Sequence, residues 1–188
     1  MDADFDAAVL GHGLPAEAEA ALHEAGLHRA DAPRAMAALM RARTLAPEHP
    51  AVLIALYRDH FYGHRLGPAR DVARKALHAG ASALGLPPYW RDVPHAPLAG
   101  ARFDPGVRFY LFALKGYAYL SLRLHDDAEA RDALALLRQL DPDDCVGGAL
   151  LEAVRQARAR ADAGQPDDDD APTAPAVFGA AAWARLDA

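Results

Sequence analysis

Turn-forming residues gather at intervals along this chain, and the stretches between them consist of residues that favour helix. The breaks fall at Gly11–Pro15, Asp31–Pro33, Pro47–Pro50, Gly63–Pro68, Gly85–Pro105, Leu124–Asp127 and Asp141–Asp144. Proline cannot continue a helix, and Gly and Asp favour turns. Between the breaks Ala, Leu, Arg and Glu dominate, Val, Ile and Thr are sparse, and no stretch alternates apolar with polar as a half-buried strand would. The spacing predicts helices over 15–29, 33–46, 51–64, 68–84, 106–123, 126–140 and 145–162. Short turns make neighbours antiparallel. The fold class open to such a chain is all-α, assembled from helix hairpins.

With 188 residues and 52% hydrophobic content, the chain can bury one core and carry a tail, but two full domains would be crowded. Its 20 Lys+Arg against 26 Asp+Glu give a formal charge of -6, which argues against a nucleic-acid partner, since phosphate binding draws on clustered cations. The start, Met1 to Asp6, is acidic where a secretory signal is basic, and no apolar run nears the roughly 20 residues that span a bilayer. The expectation is a cytoplasmic protein with no membrane partner. Cys145 is the single cysteine, so an intrachain disulfide is impossible.

Four segments follow from composition: an arm over 1–14, the helical region over 15–162, a linker over 163–175, and a short apolar tail over 176–188. The linker carries Asp167 to Asp170 and three prolines, too charged to bury itself, and reads as disordered. The tail brings Val177, Phe178, Trp183 and Leu186, apolar material that suits a short docking segment.

Within the helical region the sequence repeats. Ala35, Leu39, Ala42 and Leu45 recur at helical spacing, and Pro47 closes the run. Ala69, with Ala73, Ala76 and Leu77, opens the same pattern again one repeat length further on. A third copy holds Leu114, Gly116, Tyr119 and Ala128 and ends in Leu140, Asp141 and Pro142. These features resemble the tetratricopeptide-repeat (TPR) family over residues 15–144, and the step from Ala35 to Ala69 equals that family's period. In that family a small residue in the first helix and an Ala opening the second let two backbones approach. Gly116 and Ala128, 12 apart, match that spacing, Tyr119 supplies the aromatic three positions on, and Pro47 and Pro142 close their units. Copy one has His23 and copy two Tyr57 at the small position, copy two lacks the closing proline, and an interruption mostly over 85–105 separates copies two and three. The resemblance implies an α-solenoid of about three repeats, with 145–162 as the capping helix. Residues 108–142 also resemble single-unit repeat proteins encoded among nitrogen-fixation genes.

The resemblance further implies a concave groove lined by first helices, which receives a partner peptide or helix. Projected onto this chain, the groove positions are Ile54, Arg58, Phe61 and Tyr62 in copy two and Tyr110, Ala113, Tyr117 and Leu120 in copy three. Tyr and Arg dominate binding energy at interfaces, but Phe61 and Tyr62 serve equally well as core. The paired Asn and Lys of chaperone-tail clamps are not evident. The function expected is that of a non-enzymatic adaptor or assembly factor, with the tail as a ligand either for its own groove, where it would regulate binding, or for a partner.

The competing class is a metal-binding helical protein or enzyme. His60 and His64 stand four apart on one helix, near enough to share an ion, but no third ligand is evident by spacing and the alternative is an ordinary helix-end pair. Cys145 reads as a small buried cysteine at the start of the last helix, and Gly147 and Gly148 as close packing and not a phosphate loop. The stiff aromatic insertion over 86–92, with Tyr89 and Trp90, suits a lid over the groove or a plug against the hairpins. No catalytic grouping, cofactor fingerprint or phosphate loop is legible.

Overall fold

The computed structural model describes residues 13–162. These form seven α-helices: α1 (Ala16–Leu27), α2 (Ala32–Leu45), α3 (Pro50–Tyr62), α4 (Leu66–Leu84), α5 (Pro105–Arg123), α6 (Asp127–Leu140) and α7 (Ala149–Asp162). A 3₁₀ turn, Trp90–Asp92, interrupts the long connection between α4 and α5. No strand occurs among the described residues. Residues 1–12 of the arm, the linker and the tail with Val177, Phe178, Trp183 and Leu186 lie outside them.

Local chemistry explains where the helices start and stop. Asp31 accepts from the Arg34 amide at 3.2 Å to open α2, and Asp104 accepts from Gly106 (2.8 Å) and Val107 (3.1 Å) to open α5. Each satisfies amides that have no partner inside the helix. Pro50 and Pro105 occupy first-turn positions, where no amide is needed. Gly85, at φ 67°, ends α4 in the left-handed conformation that a side chain disfavours.

One expected boundary differs by more than two residues. Helix α7 begins at Ala149 and not at residue 145, because two carboxylates absorb the amides of a preceding turn. Asp141 accepts from Cys145 (3.0 Å) and Val146 (2.9 Å), and Asp144 accepts from Gly148 and Ala149. Cys145 therefore sits half-buried in that turn. A methyl group on Gly148 would fall 2.7 Å from Leu137 Cδ2, so this glycine marks close packing of the turn on α6.

Each helix packs chiefly on its neighbours in sequence, most extensively in the pairs α1–α2, α3–α4, α4–α5 and α5–α6. Two apolar clusters share α4. Its Val72 and Ala76 join α1, α2, α3 and Phe109, while Ala69, Ala73, Leu77 and Ala81 join the insertion, α5, α6 and Leu151 of α7. The small residue in the α4–α5 seam is Gly80, where a Cβ would come within 3.3 Å of both Phe109 and Tyr110.

In α6 the small residue expected at the helix–helix approach, Ala128, is exposed. It falls in the first turn, and the buried stripe begins two positions later with Ala130, Ala133, Leu134 and Leu137, a run with the period of one helix face. The fully buried small residue 12 before Ala130 is Ala118. Gly116 packs elsewhere: its missing side chain makes room for the Tyr57 hydroxyl of α3, 3.0 Å from where a Cβ would stand.

The insertion is a packing element. Trp90 and Val93 are buried, the Trp90 ring lies 6.0 Å from that of Tyr117 on α5, and the Leu98 amide donates to the Leu140 carbonyl at 2.9 Å. Arg91 covers the Trp90 ring at 4.4 Å and pairs with Glu129 and, at 2.6 Å, Asp132 on α6.

Candidate partner-binding face

The residues projected onto a groove divide sharply between the two helices that carry them. On α3, Arg58 is exposed, Tyr62 is 45% exposed, and Ile54 and Phe61 are half-buried. On α5 the projection fails. Tyr110, Tyr117 and Leu120 are 0%, 2% and 0% exposed, so they belong to the core and no partner reaches them. Tyr117 lies beneath Trp90, and its hydroxyl donates to the Glu129 carboxylate. The Tyr110 hydroxyl has no hydrogen-bond partner among the described residues, and burial pushes its pKa up to about 12. Ala113 is half-buried between the two clusters.

A shift of two positions along α5 takes Tyr110, Ala113 and Tyr117 to Phe112, Lys115 and Tyr119, which are half-buried, and Leu120 to Leu122, which is buried; the exposed Arg123 follows Tyr119 by one turn. An aromatic row crosses the two helices: Tyr57 stacks on Phe61 (5.8 Å, 9°), Phe61 meets Tyr62 edge-on (5.4 Å, 80°), and Phe61 meets Tyr119 (5.8 Å, 53°). Burial raises the Tyr57 pKa, with the nearby Tyr119 and Tyr62 phenols adding to the effect.

Cations frame this row. Arg123 donates from Nη1 to the Tyr119 hydroxyl at 2.8 Å and lies 5.8 Å from that ring's centre. Arg108 lies 5.9 Å from the centre of the Phe112 ring, a geometry in which the ring's negative face attracts the guanidinium. Lys115 donates to the Val146 carbonyl of the turn before α7. Burial lowers its pKa, against a smaller opposing pull from Asp144. Two acids on the helices nearby are engaged by other cations: Asp59 pairs with Arg65, and Glu24 with Arg41. The face thus presents aromatic surface beside positive charge, suited to carboxylates and to flat or apolar groups.

The two histidines have different surroundings. His60 Nδ1 accepts from Arg65 Nε at 3.1 Å, and burial followed by the Arg65 charge holds its pKa below the usual histidine value. His64 is exposed just past the helix, at φ 57°. No group of three or more His, Cys, Asp or Glu side chains that could hold a metal ion occurs among the described residues.

The sequence singles out none of Phe112, Lys115 and Arg123, and it offers Tyr119 only as an interlocking residue. A signal for all but Arg123 exists: the interval from Ala35 to the closing Pro47 equals that from Ala130, not Ala128, to the closing Pro142. Anchored on that interval, the projection onto α5 moves by two positions, to Phe112, Lys115, Tyr119 and Leu122; it does not include Arg123.

No helix among the described residues is long and apolar enough to cross a membrane. No family model and no solved structure matches the chain. It is similar to a protein of Azotobacter chroococcum mcd 1 described as "Uncharacterized 19.8 kDa protein in nifW 5'region", at 38% identity over 115 residues. The match covers 60% of this chain and 64% of the relative's length.

Proposed function

We propose that this chain is a TPR-like α-solenoid, an adaptor or assembly factor that receives a segment of another protein on the face formed by α3 and α5. The observation that carries the reading is a recurrence of buried positions. Ala35, Leu39 and Ala42 on α2, Ala69, Ala73 and Ala76 on α4, and Ala130, Leu134 and Leu137 on α6 share one spacing, and all nine are buried. Leu56 and Tyr117 each precede the first member of their set by 13 positions, are buried in turn, and have Leu22, half-buried, as their counterpart on α1. The first two sets are one repeat period apart and the last two nearly two, the excess being taken up by the longer α4 and the insertion.

Packing between sequence neighbours supports the same reading, since stacked hairpins bury their faces mainly against the preceding and following units. In such a stack α1, α3 and α5 are first helices and α7 closes the last open face. Leu151 of α7, buried and one period after Tyr117, fits that role. First helices line the concave side, which is where this reading puts Arg58, Phe61, Tyr62, Phe112, Lys115, Tyr119 and Arg123.

The chemistry of the face selects a partner segment with carboxylates beside aromatic or aliphatic side chains. The Azotobacter relative's description, in the nifW 5' region, supports seeking that partner among products of nitrogen-fixation genes. The test is affinity capture from the native organism with the chain and with its Arg58→Glu/Tyr119→Ala/Arg123→Glu variant. Interface anchors contribute about 2 kcal/mol or more each, roughly 30-fold in affinity, so the variant should lose the partner while its circular dichroism is unchanged. A variant that folds normally and captures the partner as before refutes the placement of the face.

A further inference from the structure

The face described above has a complement within the same sequence. Residues 167–170 are four aspartates, and the segment 171–188 carries Val177, Phe178, Trp183 and Leu186 with only Arg185 and Asp187 as charges. That order, an acidic run and then an aromatic segment, matches a face of arginines beside an aromatic row. The end of α7 sets the starting point. Arg158 donates from Nη1 to the Leu122 carbonyl at 3.1 Å, and its other terminal nitrogen contacts the His125 ring, so the last turns of α7 lie beside the C-terminal end of α5. The chain leaves α7 one turn later, next to the end of α5 that carries Arg123 and Tyr119.

Length permits the return. The stretch from Ala163 to Pro175 spans at most about 45 Å when extended, whereas packed helices lie about 10 Å apart. Tyr62 and Arg58 on α3 are therefore within reach as well. Two acids that would repel an aspartate run are engaged: Asp59 is held by Arg65, and Asp144 caps α7.

We propose that segment 167–186 docks in cis on the α3–α5 face, its aspartates against Arg123 and Arg58 and its Phe178 and Trp183 against the row Phe61, Tyr62 and Tyr119. An external partner then has to displace it. This deepens the adaptor reading and rests on it. A tether of about a dozen residues presents its segment at an effective concentration on the order of 1 mM, so a segment with a Kd of about 10 µM in trans outcompetes added ligand about 100-fold.

The probe is a labelled synthetic peptide of residues 165–188, titrated by fluorescence anisotropy into three full-length proteins. One is unaltered, one is Phe178→Ala/Trp183→Ala, and the third adds Tyr119→Ala/Arg123→Glu to that pair. The second protein should bind the peptide, the unaltered chain about 100-fold more weakly, and the third not at all, with circular dichroism showing all three equally helical. Equal binding by the first two overturns the cis contact, as does no binding by the second. Binding by the third that matches the second overturns the location. A dimer of the unaltered chain that dissociates on Phe178→Ala/Trp183→Ala substitution overturns the cis form in favour of exchange between two copies. These outcomes are separable from the adaptor reading, because an external partner can be captured on the face whether or not the peptide binds there.

Discussion

The pair α1–α2 and the pair α5–α6 occupy equivalent places in the chain's succession of hairpins, yet they are filled differently. Alanine supplies most of the seam in the first: Ala18, Ala21 and Ala25 on α1 and Ala35, Ala38 and Ala42 on α2 are all buried. The second is filled with Tyr110, Leu111, Leu114, Tyr117, Leu120, Leu134, Leu137 and Leu140, and the insertion adds Trp90 and Val93 on top. Apolar stabilisation scales with the area removed from water, so the second pair carries far more of it per residue. The first compensates by close approach, which small side chains allow and large ones forbid. The contrast teaches that the insertion belongs to the heavier core and not to the proposed binding face.

The sharpest way to break that contrast is Trp90→Ala. Removing a buried tryptophan costs about 3–5 kcal/mol, and here it also strips the cover from Tyr117. The expected result is a large fall in the urea midpoint with little change in slope. A loss under about 1 kcal/mol would show that the insertion covers the hairpin without supporting it. The opposite substitution tests the other seam. Ala38→Leu adds volume at a fully buried position on α2, and overpacking should cost about 1–3 kcal/mol. If the variant is as stable as the parent, the α1–α2 seam is loosely packed and the comparison fails at its first term.

The same contrast decides how much the sequence disclosed. All seven helices were legible, because each is bounded by Pro, Gly or Asp and their facing residues repeat at helical spacing. The start of α7 was not, since Asp141 and Asp144 both look like helix caps, whereas Asp141 takes the amides of a turn and only Asp144 reaches Ala149 at the start of α7. On α3 the projected residues are exposed at Arg58 and Tyr62 and half-buried at Ile54 and Phe61. On α5 the projected positions Tyr110, Tyr117 and Leu120 are buried, as eleven of its residues are, while its three charged side chains, Arg108, Lys115 and Arg123, recur at helical spacing on another face that the repeat-based projection passed over. Gly116 attracted the repeat's small position, although its contact is with Tyr57 of the neighbouring hairpin. Helix existence is written in local pattern, whereas the rotation of a helix buried on most sides is decided by packing partners far away in sequence.

The smallest expected effect separates the two regions through their ion pairs. Arg41–Glu24 joins α1 to α2 with side chains 52% and 45% exposed, and such pairs contribute at most about 0.5 kcal/mol. Arg91 is less exposed, forks between Glu129 and Asp132, and lies on Trp90. Arg91→Ala should therefore cost about 1 kcal/mol, discounted for partial solvent screening, against nearly nothing for Arg41→Ala. Hydrogen bonding to Arg91 and then to Arg131 holds the Asp132 pKa below the usual carboxylate value. A pKa depressed in the folded state contributes stability above its unfolded value, about 4, and that contribution is lost as pH falls through the folded value. The gap between Arg91→Ala and the parent in urea unfolding should accordingly be full at about pH 7 and shrink below about pH 4. An equal gap at both pH values would assign the Arg91 contribution to its stacking on Trp90 instead of its charge.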